Sequence, residues 1–366
     1  MIQLNSRGIP INIESPTLAT IFAKSINNDL VAQRADGGTI ALYKHVPELN
    51  NDQMIVGLQK LDNLTEGDIV YINTNGAINT LYRRDSLHNA LFITDRCNSN
   101  CLMCSQPPKN HDDLSHFYAI NTALISMIPK DTLELGITGG EPTLLGQRFL
   151  SLLAQLKYEL SSTEIHILSN GRSFAWRHVA QSISKVDNRR TVYGIPLYSD
   201  DYRQHDYIVQ AKDAFNQTVL GMHNMARYNQ RMEVRVVLHK QSYRRLPQLA
   251  KYIYRNLPFI EHVAFMGLEY TGYTVKNHDL LWMEPVAYAE ELEEAVLYLH
   301  AMGMNVSIYN LQLCLLKQSL WPFAQKSISD WKQNYLAECS SCSKLDSCGG
   351  VFETSKRHST LISAIR

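Results

Sequence analysis

Three of the chain's seven cysteines fall within eight positions, in the stretch RCNSNCLMC that spans residues 96–104. They are Cys97, Cys101 and Cys104, in the spacing CxxxCxxC. Thiols this close together are typical of a metal or iron–sulfur site, and an odd total fits poorly with a complete disulfide framework. A [4Fe–4S] cluster normally takes four cysteine ligands, so three leave one iron open for an outside ligand. The alternative is a zinc site or a packed group of small thiols, although no histidine lies inside the motif.

The charge balance limits the partners of the chain. Its 366 residues include 35 basic and 35 acidic side chains, so the formal net charge is zero. Nucleic acids and anionic membranes require a clustered positive field, so neither is expected as a partner. The first residues do not resemble a secretory signal, and no apolar run approaches the length of a bilayer span. We therefore expect a cytoplasmic protein, in which thiols stay reduced.

From about residue 90 onward, short apolar runs alternate with amphipathic stretches. The expected strands are residues 90–94, 133–138, 164–169, 192–198, 234–238 and 262–267. The expected helices are residues 116–128, 148–160, 214–228, 243–257 and 284–303. This alternation predicts an α/β fold with a parallel sheet, in the form of a partial (β/α)6 barrel whose site lies at the carboxyl ends of the strands. The cysteine loop follows the first of these strands directly.

The domain organisation follows from the same patterns. Residues 1–88 predict a small β-rich domain, with a two-residue hairpin turn at Asn75-Gly76. Its role as a substrate-docking module or as a structural cap stays open. Residues 89–303 form the expected barrel, and residues 304–366 form a Cys-rich extension with one further candidate strand, residues 304–310.

The second cysteine group lies in this extension. Cys339, Cys342 and Cys348 are spaced CxxCx5C, and Cys314 is the only cysteine left over. Four cysteines are the number that saturates one further [4Fe–4S] cluster. A four-cysteine zinc site is the competing interpretation, and Cys314, between Leu313 and Leu315, is alternatively a buried core residue.

Polar motifs follow the next three expected strands. GITGGEPTLLG (136–146) ends the second, where glycines let the backbone approach a ligand closely and a carboxylate with exposed carbonyls can bind an ammonium group. HILSNGR (166–172) ends the third, and PLYSDDYRQHD (196–206) ends the fourth.

In this order, TDRCNSNCLMC and TGGEPT resemble the radical S-adenosylmethionine (SAM) enzymes. The resemblance implies a [4Fe–4S] cluster on Cys97, Cys101 and Cys104 whose open iron binds SAM and whose electron cleaves SAM to a 5′-deoxyadenosyl radical. It implies that the SAM-binding residues are Gly139, Gly140, Glu141, Ser169 and Asn170, with Tyr198 and Ser199 as further candidates. Met103 stands where many relatives carry an aromatic residue near the adenine, and a thioether can contact a ring.

The tail resembles the auxiliary-cluster region (SPASM or twitch type) of radical SAM peptide maturases. CNSNCLMCSQPP (97–108) together with residues 320–342 is similar to the C-type maturase of the His-Xaa-Ser system. This resemblance, over about residues 89–352, implies a ribosomally made precursor peptide, a companion radical SAM protein and an electron donor such as flavodoxin or ferredoxin. The expected product is a crosslinked or oxidised peptide.

Two other functions remain alternatives. One is a radical SAM enzyme that acts on a small molecule or matures another enzyme. The other is a non-catalytic iron–sulfur sensor or a zinc-stabilised binding protein. Four polar residues near expected strand ends are interpreted as satisfied structural groups and receive no catalytic role: His205, Asp206, His239 and Glu269.

Overall fold

The computed structural model describes residues 4–24, 29–47, 52–59, 61–326, 329, 333–355 and 357–366, which fold into two sheets. The first sheet has the order β1-β8-β7-β3-β4-β5-β6-β2. Its strands are β1 (Asn5–Arg7), β2 (Ile9–Ile11), β3 (Thr17–Lys24), β4 (Leu30–Arg34), β5 (Thr39–Leu42), β6 (Met54–Val56), β7 (Ile69–Ile72) and β8 (Ala77–Tyr82). All neighbours pair antiparallel except β5 and β6. Because only Gly8 separates β1 from β2, the two ends of this sheet meet there.

The predicted hairpin joins β7 to β8, but its loop is one residue longer than expected. Asn73 and Ala77 pair across it, with the Ala77 carbonyl accepting from Asn73 N at 2.8 Å, so three residues form the turn. Gly76 has φ of 77°, a left-handed conformation typical of a three-residue hairpin loop.

The second sheet confirms the predicted α/β partial barrel. Its order is β15-β14-β13-β12-β11-β10-β9, and every neighbouring pair is parallel. The strands are β9 (Asn89–Phe92), β10 (Glu134–Thr138), β11 (Glu164–Leu168), β12 (Thr191–Pro196), β13 (Arg231–Leu238), β14 (His262–Gly267) and β15 (Val306–Tyr309). The sheet has one strand more than the expected six, because β15 pairs with β14 although its residues belong to the segment assigned to the Cys-rich extension.

Nine helices accompany the described strands. They are α1 (Leu114–Met127), α2 (Gln147–Glu159), α3 (Arg177–Val186), α4 (Tyr202–Val209), α5 (Ala214–Arg227), α6 (Leu246–Asn256), α7 (Tyr273–Lys276), α8 (His278–Leu281) and α9 (Ala289–Ala301). The short helices α3, α4, α7 and α8 were not expected. None of the helices in the described part of the chain has the length and apolar character that crossing a bilayer requires.

The two faces of the barrel sheet differ in character. On β13, Met232, Val234 and Val236 are fully buried in the apolar core that the helices cover. Residues between them point to the opposite face, since side chains alternate along a strand. Glu233 is one of these, and it is buried.

Inside the barrel, the Glu233 carboxylate is surrounded by positive or hydrogen-bonding groups from three strands. Its oxygens lie 3.1 Å from His166 Nε2, 3.0 Å from His262 Nδ1 and 3.0 Å from Arg235 Nη1. Burial alone would raise the pKa of Glu233, but the His166 and His262 contacts and the Arg235 charge together hold that pKa well below its usual range. His262 Nε2 in turn lies 3.0 Å from Ser307 Oγ on β15.

Candidate active site and a second cysteine pocket

The first cysteine loop leaves β9 and is held from two sides. On one side, Asn100 N and Leu102 N donate to the carbonyls of Val209 and Ile208 at the end of α4, at 3.0 and 2.9 Å. On the other side, Tyr273 N donates to the Cys104 carbonyl at 2.9 Å, and Asn277 Nδ2 donates to the Leu102 carbonyl at 2.8 Å. The loop therefore has a fixed backbone, to which the unexpected helices α4 and α7 contribute.

The three thiols of this loop are half-buried and disfavour ionisation on their own. Burial, with a smaller contribution from the Glu141 charge, raises the pKa of Cys97 to about 11. Burial also raises the pKa of Cys101, and the nearby Cys104 and Cys97 raise that pKa further. Burial raises the pKa of Cys104 as well. A thiol nucleophile needs a lowered pKa, whereas a metal ligand loses its proton to the bound metal. These thiols suit the second role.

The two glycines of the GGEP motif pack against the start of the cysteine loop. Gly140 N donates to the Thr94 carbonyl at 2.7 Å, and Glu141 N donates to the Arg96 carbonyl at 2.8 Å. A Cβ on Gly140 would lie 1.9 Å from the Arg96 carbonyl oxygen, and one on Gly139, which has φ of 126°, would lie 2.7 Å from the Thr94 oxygen. The two glycines thus let their backbone approach the cysteine loop, whereas the sequence predicted that they approach a ligand.

Glu141 is fully buried and ties the ends of β10 and β11 together. Its Oε1 accepts from Thr143 Oγ1 at 2.6 Å, from Thr143 N at 3.1 Å and from Ser169 Oγ at 2.9 Å. Its Oε2 accepts from Asn170 N at 2.8 Å. Burial raises the pKa of this carboxyl group. Because four protein donors engage the carboxylate, Glu141 acts here as a positioning residue.

The turn after β11 reaches back to the cysteine loop. Asn170 Nδ2 lies 2.5 Å from Asn98 Oδ1 and 3.9 Å from the Cys97 sulfur. Arg172 Nη1 donates to the Asn98 carbonyl and, at 3.1 Å, to Ser99 Oγ. The sequence analysis missed Arg172, although its place two residues after Asn170 at a strand end was a usable signal.

Tyr198 and Ser199, which follow β12, are buried and contact other parts of the protein. Ser199 is fully buried, and its hydroxyl donates to Gln204 Oε1 at 2.8 Å while it accepts from Asp201 N at 3.0 Å. Tyr198 packs in an apolar cluster with Met103 and Leu102, beside Cys101. Met103 therefore belongs to the same apolar cluster as the Tyr198 ring, and Ser199 bonds the residues at the start of α4.

All four polar residues left without a role have at least one structural partner. His205 Nδ1 accepts from Tyr198 N at 3.3 Å, Asp206 accepts from Phe215 N at 2.8 Å, and Glu269 accepts from Thr354 Oγ1 at 2.7 Å. His239 Nδ1 accepts from Gln241 N at 3.1 Å, while its buried Nε2 has no described hydrogen-bond partner. Burial lowers the pKa of both His205 and His239 to about 3, so both imidazoles are neutral.

The other four cysteines line one pocket beyond β15, with about 360 Å³ of empty space, part of it open to solvent: Cys314, Cys339, Cys342 and Cys348. Cys314 lies in a short 3-10 helix after β15, and burial raises the pKa of its thiol. The structure thus brings the isolated cysteine together with the three of the tail.

The end of the described chain closes this pocket. Ile365 N donates to the Cys342 sulfur at 3.4 Å, and Ser343 N donates to the Ile365 carbonyl at 2.8 Å. Ile362 is buried against Leu315 and Val351. The sequence analysis did not single out these residues, because nothing in their composition marks them.

No protein-family model matches the sequence, and no curated protein sequence matches it. Among solved structures, SuiB of Streptococcus suis bound to S-adenosylmethionine is similar over 61% of this chain and 50% of that chain, with 16% identity and a TM-score of 0.47. Native anSMEcpe with bound AdoMet is similar over 60% of this chain and 62% of that chain, with 16% identity and a TM-score of 0.43. A radical SAM methyltransferase from Sphaerobacter thermophilus is similar over 83% of this chain and 77% of that chain, with 10% identity and a TM-score of 0.43. The chain spans about half the length of SuiB.

Proposed function

We propose that this chain is a radical SAM enzyme that binds a [4Fe–4S] cluster at Cys97, Cys101 and Cys104. The observation that carries the proposal is the joining of three motifs at one end of the barrel. The backbone of the cysteine loop is hydrogen-bonded to the GGEP turn, and the turn after β11 contacts both. With SAM on its fourth iron, such a cluster supplies the one-electron cleavage that yields a 5′-deoxyadenosyl radical.

The residues around the loop then have distinct roles. Gly140 and Glu141 fix the loop through Thr94 and Arg96, and Glu141 also fixes the turn that carries Ser169 and Asn170. Within the described residues, the carbonyl groups of Gly139 and Gly140 accept no hydrogen bond, so we assign them to the SAM amino group. The side-chain amide of Asn170, which lies beside Cys97, is assigned to the SAM carboxylate.

We assign a second, fully ligated [4Fe–4S] cluster to Cys314, Cys339, Cys342 and Cys348, with zinc as the alternative. Support comes from their shared pocket, because four thiols from separate parts of the chain line one cavity. Its walls also include Leu313, Val351 and Ile362, which shield a cluster from water. Burial of this kind lowers solvent access and so affects the reduction potential.

The substrate that we propose is a ribosomally made peptide with His-Xaa-Ser repeats, crosslinked or oxidised after hydrogen abstraction. This proposal rests on the two sequence stretches 97–108 and 320–342, and it includes a companion radical SAM protein, a flavodoxin or ferredoxin as electron donor, and a cytoplasmic location.

The proposed activity can be tested without the peptide. Protein purified anaerobically, loaded with iron and sulfide and reduced should form 5′-deoxyadenosine from SAM. Cys97→Ala should abolish this product, because two thiols do not hold the site-differentiated cluster. Cys342→Ala, which alters the other pocket, is the matched control and should keep the first cluster. Equal product from wild type and Cys97→Ala would refute the assignment.

The peptide proposal needs a separate experiment. Coexpression of the chain with a His-Xaa-Ser repeat peptide and the companion maturase should lower the peptide mass by two hydrogens per modified site. The Cys97→Ala chain should leave the mass unchanged. An unmodified peptide alongside normal 5′-deoxyadenosine formation would discard this substrate and keep the radical SAM assignment.

Removing residues 360–366 should open the second pocket selectively. Without Ile362 and the Ile365 amide that bonds Cys342, we expect bound iron to fall from about eight to about four per chain. Leu361→Ala is the control, because Leu361 is about half exposed and lies outside the pocket lining. Iron and zinc analysis after desalting measures the effect and identifies the metal. Unchanged metal content would show that the closing segment does not retain it.

A further inference from the structure

A cavity with about 520 Å³ of empty space, part of it open to solvent, lies at the carboxyl ends of β13, β14 and β15. Leu268 and Leu281 in its wall also belong to the apolar cluster that contains Met103 of the first cysteine loop. Gln312 and Val351 line both this cavity and the four-cysteine pocket. The cavity therefore adjoins both cysteine sites.

One wall of the cavity comes from the segment that follows the second cysteine group. Ser355 Oγ accepts from Tyr270 N at 3.2 Å, and Thr354 Oγ1 donates to Glu269 Oε1 at 2.7 Å. Ser359 Oγ donates to the Glu284 carboxylate. These contacts fix Thr354, Ser355 and Ser359 against residues that follow β14.

Arg357 lies in this wall and is held by aromatic side chains. Its guanidinium carbon lies 5.3 Å from the ring centroid of Trp282, and its Nη1 lies 3.2 Å from His278 Nε2. The His278 and Trp282 rings stack at 6.3 Å, and the Tyr270 ring meets Trp282 edge-on at 5.5 Å. A guanidinium stacked in this way is oriented before any ligand arrives.

The charge of Arg357 is not neutralised by the described part of the chain. None of the described carboxylates forms an ion pair with it, and within the described residues the guanidinium has His278 as its one hydrogen-bond partner. Because a guanidinium only donates, His278 Nε2 accepts, and the imidazole adds no negative charge. His358, also in the wall, has a pKa lowered by burial. The cavity thus presents the positive charge of Arg357 beside four leucines, the leucine floor: Leu238, Leu268, Leu281 and Leu311.

We propose that Arg357 binds a carboxylate of the substrate in this cavity. The inference deepens the proposed function, on which it rests, by naming the chemistry of the substrate: a peptide that presents a carboxylate beside the residue to be modified. A guanidinium binds a carboxylate through two parallel hydrogen bonds, and the leucine floor accommodates the aliphatic part of the same residue. The carboxylate comes from an acidic side chain or from the end of a peptide chain.

Three capped tripeptides distinguish these sources. The probes are acetyl-Gly-Glu-Gly-amide, its neutral isostere acetyl-Gly-Gln-Gly-amide, and acetyl-Gly-Gln-Gly with a free terminal carboxylate. Their affinities for the metal-loaded protein can be measured by saturation-transfer NMR. We expect one acidic probe to bind at least about tenfold more tightly than the neutral one, as a charge-assisted bidentate contact allows. Which of the two does so identifies the source.

The variants decide whether Arg357 is responsible. Arg357→Gln should abolish the preference for the acidic probe, and Arg357→Lys should keep only part of it, because lysine lacks the planar fork. Arg255→Gln removes an exposed arginine on α6 and should change nothing. Circular dichroism and metal content confirm that each variant is folded.

Equal affinity for all three probes, or a preference that survives Arg357→Gln, would overturn the proposal. The binding measurement requires no SAM cleavage. Loss of 5′-deoxyadenosine formation with normal probe binding would instead refute the proposed function, so the two failures are distinguishable.

Discussion

Gly140→Ala should empty the first cysteine loop of iron and lower 5′-deoxyadenosine formation by about a hundredfold or more. The added methyl carbon would lie 1.9 Å from the Arg96 carbonyl oxygen, and that contact involves backbone on both sides. Neither strand end can yield by a side-chain rotation, so the loop must move away from β10. That movement breaks the hydrogen bond from Glu141 N to Arg96 and displaces Cys97, the next residue.

Gly136→Ala is the matched control, since it adds the same carbon four residues earlier, within β10. Its Cβ would lie 3.2 Å from the Ala90 side chain, a tight contact that a shift of a few tenths of an ångström relieves. We expect iron content and activity close to wild type. Iron per chain, before and after removal of residues 360–366, separates the two cysteine sites. A Gly140→Ala protein that retained the iron of the first loop would contradict this account of the motif.

Glu233→Gln should reduce the free energy of unfolding by about 3 kcal/mol at neutral pH. The substitution preserves the shape of the side chain but removes the charge that neutralises Arg235, whose side chain is only 15% exposed. It also replaces an acceptor of the His166 and His262 contacts by an amide. Glu164→Gln is the control, because Glu164 pairs with Arg190 and Arg231 at the solvent-exposed edge and should cost less than about 1 kcal/mol.

The pH dependence gives this prediction a sign. The folded-state pKa of Glu233 lies below its unfolded value, so the carboxylate contributes its full stability above the unfolded pKa of about 4.3. The contribution is lost as the pH falls toward the folded-state pKa. The difference in urea midpoint between wild type and Glu233→Gln should therefore shrink as the pH falls below about 4.3. A difference that did not shrink there would argue against an ionised Glu233.

The barrel strands could be predicted because local sequence determines them. Runs such as residues 164–169 and 262–267 are short, apolar and bounded by polar residues, and both are strands within one residue or so of the expected limits. The seventh strand, β15, was visible as residues 304–310, but a parallel partner is set by packing and not by the run itself. The sequence therefore predicted the strand and not the sheet that it joins.

The internal architecture of the site depends on contacts that no local pattern encodes. Glu141 meets Ser169 across 28 positions, and Arg172 meets Asn98 across 74. The helix α7 has four residues, too few for a periodic pattern, yet it donates to Cys104. Arg357 lies in an irregular segment, and its contact with the Trp282 ring is what distinguishes it from other arginines. Such pairings arise from the fold, so they could not be predicted from the sequence.

The segment that walls the central cavity and closes the four-cysteine pocket follows every cysteine in the chain. Nine residues after the last cysteine contribute to one or both of these linings: Val351, Phe352, Ser355, Arg357, His358, Ser359, Ile362, Ser363 and Ile365. A ribosome adds residues in order, at about 5–20 per second. The cavity and the four-cysteine pocket therefore still lack these lining residues when the last cysteine emerges. A chain that ends before residue 351 lacks these walls, so its four-cysteine pocket is more accessible to an assembly partner than the same pocket in the finished chain.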